Sequence, residues 1–103
     1  MATGEPVVAD SPEARRFELR ADGEVVGWID YLPAGASLIF AHTEILPGHE
    51  QQGFGSVLVR GALDEMRRRG STVIPSCPFT AAFIQRHPEY ADVVDPSLRD
   101  RFA

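Results

Sequence analysis

The sequence predicts one α/β (α+β) domain on a mixed sheet, and three observations carry that prediction. After a short N-terminal stretch, the first half alternates apolar and polar residues between tight turns, as an antiparallel meander does. A glycine-rich turn, Gln51-Gln52-Gly53-Phe54-Gly55-Ser56, then runs into a stretch with helical apolar spacing. A short β-branched run, Thr72-Val73-Ile74, follows, and a right-handed crossover would set it parallel to the strand before the turn.

Residues 1–14 are rich in Ala, Pro, Gly and acidic residues. They read as a flexible N-terminal segment ahead of a single domain over residues 15–103, with Val7-Val8 as a candidate short edge strand. Arg15 to Arg20 is a first strand of the meander, with Phe17 and Leu19 on one face. Asp22-Gly23 is a hairpin turn. Glu24 to Leu32 is a second strand, with Val26, Trp28 or their neighbours facing inward. Pro33-Ala34-Gly35 turns the chain into a third strand, Ser37 to Ile45. The helix starts near Gly53; Phe54, Val57, Leu58, Gly61, Ala62 and Met66, flanked by Leu63, form its apolar face. Gly70 suits the position just past its end. After the β-branched strand, Pro78 fits the first turn of a second helix, Phe79 to Arg86, and His87-Pro88 stops it. Tyr90 to Val94 reads as a last short strand or an extended segment, and Asp95-Pro96-Ser97 as a cap for a final turn, Leu98 to Phe102.

A chain of 103 residues, 44% hydrophobic, has the size and composition of one folded domain. Its net charge is −5, and all ten basic residues are Arg. An acidic chain without a basic stripe argues against a dedicated nucleic-acid binder. The one basic cluster, Arg67-Arg68-Arg69, reads as a helix end complementing the dipole. A lone cysteine forms no internal disulfide. No apolar run approaches the length of a membrane span, and the first residues lack the marks of a secretory signal. The expected location is cytoplasmic, the expected state a monomer or weak dimer, with no metal.

Chemistry concentrates at the glycine turn. N–H groups at a helix start are unpaired, and the helix dipole adds positive potential there; glycines let a ligand approach the backbone. The expected ligand is a phosphate or pyrophosphate. A P-loop would need a lysine after Gly55, and a dinucleotide fingerprint a third glycine where Leu58 stands.

The turn resembles the acetyl-CoA-binding core of the GNAT superfamily of N-acetyltransferases, whose pattern is Arg/Gln-x-x-Gly-x-Gly/Ala at a strand-to-helix turn. Gly53 and Gly55 match the small positions, and Glu50 stands where Arg or Gln is usual. Ile74-Pro75-Ser76-Cys77-Pro78-Phe79 and Arg86-His87-Pro88-Glu89-Tyr90 are similar to a small single-domain branch, in which the turn often carries Glu and a cysteine follows the next strand. The resemblance, over about Phe17 to Val94, implies a compact GNAT-like fold. It also implies an acetyl-CoA-dependent N-acetyltransferase acting on a small-molecule or protein amine. The alternatives are a CoA-binding module without catalysis and a protein-interaction domain.

Acetyl transfer to an amine needs a held pyrophosphate, a donor to the thioester carbonyl, a base and an acid. The cofactor-binding candidates are Gln51, Gln52, Gly53, Phe54, Gly55 and Ser56, together with Ile45 at the end of the preceding strand, where the resemblance implies main-chain donors. The catalytic candidates are Cys77, His42 and Glu44. Cys77 lies where a helix begins, which lowers a thiol's pKa; it would accept the acetyl group, lie beside the CoA sulfur, or serve as a small buried hydrophobe. His42 and Glu44 share one face of their strand, and Thr43 faces the other way. His49 reads as solvated, His87 as a helix cap and Tyr90 as an aromatic at the core edge. Ile84 stands where many members of the superfamily carry the tyrosine that protonates the leaving thiolate.

Overall fold

A computed structural model describes residues 5–50 and 52–102. Its strands are β1 (Val7–Ser11), β2 (Arg16–Ala21), β3 (Glu24–Ala34), β4 (Ser37–Ile45) and β5 (Thr72–Pro75), and its α-helices are α1 (Phe54–Arg69) and α2 (Pro78–Arg86). Short 3-10 turns cover Pro12–Ala14, Pro88–Val93 and Pro96–Arg101. The strands form one sheet in sequence order. The first four are antiparallel and β5 runs parallel to β4, the mixed α+β class expected.

Local chemistry explains most boundaries. Asp22 and Gly23 both have positive φ, as a two-residue turn matched to strand twist requires. Gly53 and Gly70 bracket α1 in the left-handed conformation. Pro78 opens α2, and His87, ahead of Pro88, is its C-cap.

Phe17, Leu19, Ile29, Tyr31 and Phe40 of the sheet pack with Leu58, Val59, Ala62, Leu63 and Met66 of α1 and with Phe83, Ile84, Val93 and Val94 of the C-terminal part. Each fully buried Val, Leu, Ile, Phe or Met among them contributes roughly 1.5–3 kcal/mol of burial. The apolar face of α1 is rotated from the one periodicity suggested: Val59 is buried and Val57 exposed. On β3 the inward residues include Val26, Ile29 and Tyr31, whereas Trp28 is only half-buried and carries the Arg16 guanidinium 4.5 Å above its ring.

Part of the segment expected to be flexible is ordered as β1. It pairs with β2 from Val7↔Arg20 to Ser11↔Arg16, and Val8 lies against Gly61 of α1. Absence of a side chain at Gly61 is what lets the strand seat there. Pro88–Val93 is a 3-10 turn rather than a strand, and only Val94 bridges to Val73 of β5. Arg67 pairs with Asp92, Arg68 with Glu65, and Arg69 with Asp10 and Glu65. The arginine cluster therefore ties α1 to its neighbours as well as facing solvent. Among the described residues no helix is long and apolar enough to cross a membrane.

Candidate active site

The site begins where β4 and β5 part. They pair only from Ser37↔Thr72 to Phe40↔Pro75. The chain of β5 then turns away: the Cys77 N–H donates to the Phe40 carbonyl at 2.8 Å, and α2 begins. From Ala41 to Ile45, no strand among the described residues pairs with β4 on that edge.

A bulge at the same point decides which way the β4 side chains face. Asp30 pairs with His42 but Tyr31 with Phe40, so Ala41 is an extra residue. Strict alternation would put Phe40, His42 and Glu44 on one face. The bulge breaks it, as bulges re-aim side chains elsewhere. Phe40 and Thr43 turn to the core face, Thr43 opposite buried Ile29, while His42 and Glu44 turn outward opposite Asp30 and Trp28.

The catalytic candidates therefore divide between the two faces. His42 Nε2 and Glu44 Oε1 are 2.9 Å apart, with the histidine side chain 61% exposed. On the other face, Thr43 Oγ1 lies 3.3 Å from Cys77 Sγ across the gap. Cys77 is buried, at 5% exposure, and is the N-cap of α2. Burial pushes its thiol pKa up, but the Thr43 hydroxyl, the Thr80 and Phe79 N–H groups and the Thr80 hydroxyl outweigh it and hold the thiol below its ordinary value. The Thr80 hydroxyl is fully buried beside that sulfur and has no hydrogen-bond partner of good geometry among the described residues.

At the start of α1 lies a groove of about 420 Å³ lined by Ile45, Glu50, Gly53, Gly55, Ser56, Phe79 and Arg86. Four of the cofactor-binding candidates, Ile45, Gly53, Gly55 and Ser56, meet there. Gln52 is exposed and off the lining; Phe54 is half-buried beneath His49, ring centroids 5.9 Å apart. His49 is thus packed on an aromatic rather than solvated. Gln51 lies outside the described residues. A Cβ on Gly55 would come within 2.6 Å of the Phe79 ring, so this glycine lets α2 close on the helix start. Glu50 Oε1 accepts the Gly48 N–H at 2.9 Å, which turns that oxygen back toward its own loop. Ile84 is fully buried.

Arg86, which marks the end of the second helix in the sequence, also lines this groove. Its signal was its spacing: Phe79 and Arg86 are seven apart on one helix, hence on one face. A larger groove of about 510 Å³ runs beside α1, reaching Ser56, Arg60, Asp64, Glu65 and Arg68. Its arginines are engaged, Arg60 with the Tyr90 hydroxyl and Arg68 with Glu65, so the smaller groove is the better anion receptor.

A family model described as GCN5-related N-acetyl-transferase matches residues 16–93. The chain belongs to that family. The match runs from the start of β2 through both helices, so the glycine turn, the β4 edge and Cys77 all lie within the GCN5-related domain. No curated protein matches the chain.

Proposed function

We propose that the protein is an acetyl-CoA-dependent N-acetyltransferase that binds the CoA pyrophosphate at the start of α1. The carrying observation is the groove in which Gly53, Gly55 and Ser56, at the start of α1, meet Ile45 at the end of β4, beside the split between β4 and β5. The donor set at the start of α1 fits the pyrophosphate: first-turn N–H groups of the helix and the Ser56 hydroxyl. Among the described residues lining the groove, Glu50 is the one opposing charge.

Bound acetyl-CoA would supply an activated acyl carbon. The acceptor amine attacks it, the C–S bond breaks, and the amine gives up a proton. His42, held by Glu44 on the open face of the sheet, is the proposed base. Cys77, across the β4 edge from Thr43, is the proposed proton donor to the leaving thiolate, since Ile84 stands where many relatives carry a tyrosine. The acceptor would approach from the uncovered sheet face, which suits an amine on a protein tail or a small molecule. The unpaired cysteine is consistent with a reducing, cytoplasmic setting.

Calorimetric titration of acetyl-CoA tests the reading, with Ser56→Asp and Gly55→Trp as comparisons. Ser56 is exposed in the first turn of α1, where a carboxylate favours the helix but repels a phosphate. Micromolar binding, about −8 kcal/mol, that Ser56→Asp abolishes while the protein stays folded is the expected result. No binding to the folded wild type overturns it. A CoA-binding module without catalysis is the second reading, favoured by Glu50 in the groove and buried Ile84; binding without turnover across a panel of amines would support it.

A further inference from the structure

Resting on the CoA reading, we propose that Arg86 receives the 3′-phosphate of CoA and so makes the protein selective for free CoA thioesters over donors that lack this group.

Arg86, like Arg15 and Arg101, keeps its side chain out of ion pairs and hydrogen bonds with other described residues, and of these three it is the one that lines the groove. Arg16, Arg20, Arg67, Arg68 and Arg69 are in ion pairs, and Arg60 and Arg99 bond to neighbours. An exposed guanidinium presents a planar fork of donors that matches a phosphate. Here a fork of donors is left available beside an anion site.

Its position in the groove points to the 3′-phosphate rather than the pyrophosphate. Helix α2 lies along the groove. Its N-cap, Cys77, marks the thiol end. Phe79, in the first turn, touches Gly55, where the first N–H groups of α1 are presented. Arg86 closes the last turn, about 10 Å further along the axis at 1.5 Å per residue. A ligand with a thiol at one end, a pyrophosphate in the middle and a phosphorylated ribose at the other meets Cys77, the α1 start and Arg86 in that order. Phe79, 40% exposed, presents an aromatic surface between the last two. Glu50 on the same wall disfavours excess negative charge, and Arg86 offsets it.

The test measures affinities for CoA and for 3′-dephospho-CoA at one fixed salt concentration. It uses the wild type, Arg86→Ala, Arg86→Lys and, as a charge control, Arg101→Ala. Arg101 is exposed in the C-terminal 3-10 turn, outside the groove. The wild type should prefer CoA by about tenfold, the low end for a charge-assisted hydrogen bond at an exposed site. Arg86→Ala should bind the two ligands equally, with its affinity for 3′-dephospho-CoA unchanged; Arg86→Lys should keep part of the preference and Arg101→Ala all of it. Equal weakening of both ligands in Arg86→Ala would move the arginine to the pyrophosphate and overturn the proposal. So would a wild type that binds both ligands alike, a result that leaves the CoA reading standing. Failure of the wild type to bind either ligand overturns both.

Discussion

The Cys77 sulfur is held by donors from two directions. One comes from the opposite side of the strand gap, the Thr43 hydroxyl; the others come from the first turn of α2. Removing the Thr43 hydroxyl leaves the burial penalty intact and deletes one stabilising donor. Thr43→Val should therefore raise the thiol pKa and shift the midpoint of the pH–rate profile for alkylation upward. An unchanged midpoint would assign the lowered pKa to the helix start alone. His42 illustrates a different dependence. Its chemistry was legible from its type, but its direction was not, because the inserted Ala41 turns it from the core face to the open face. Alternation is a local rule, and a bulge is decided by pairing with β3.

Helix α1 and strand β1 meet through a missing side chain. A Cβ at Gly61 would lie 2.5 Å from Val8 Cγ2 and 2.8 Å from its Cβ. Gly61→Ala gains about 1 kcal/mol of helix propensity and loses roughly 1–3 kcal/mol to overpacking. The contact is with a strand, so the loss should win. A net destabilisation of about 1 kcal/mol would lower the melting temperature by about 4–8 °C, and Gly61→Ala should cost less in a Val8→Gly background, which removes both contacts, than in the wild type. A stabilised Gly61→Ala would mean that β1 does not bear on the helix. The element types, their order and the parallel return of β5 were legible from periodicity, turn chemistry and chain order. The docking of β1 was not, because the strand is only five residues long and the helix residue it lies against, Gly61, is far from Val8 in sequence.

Across the whole molecule, one carboxylate links three elements. Asp10 of β1 accepts the Tyr31 hydroxyl of β3 and pairs with Arg69 at the end of α1. Burial first, then the hydrogen bond to Asp10, pushes the Tyr31 pKa up to about 12. An unfolded tyrosine ionises near pH 10. With the folded pKa raised, this contribution is complete below about pH 10 and is lost as pH rises toward about 12. It is on the order of 2 kcal/mol. Urea unfolding across that window should show the wild type losing stability more steeply than Tyr31→Phe, which is expected to be about 1 kcal/mol weaker at neutral pH. Parallel curves would separate Tyr31 from the alkaline transition.

By itself the sequence determined the class of fold, the glycine turn at the head of α1, the strand that precedes it and the cysteine that opens α2. These follow from short-range rules: backbone freedom at Gly53, fixed φ at Pro78 and side-chain period along each element. Only the tertiary structure decided that β4 and β5 part after Phe40, that His42 and Cys77 lie on opposite faces, and that Arg86 shares a groove with Gly53 and Ser56. Those outcomes depend on register between strands and on how one helix is seated against another. Contacts across tens of residues set both, and no single stretch of chain encodes them.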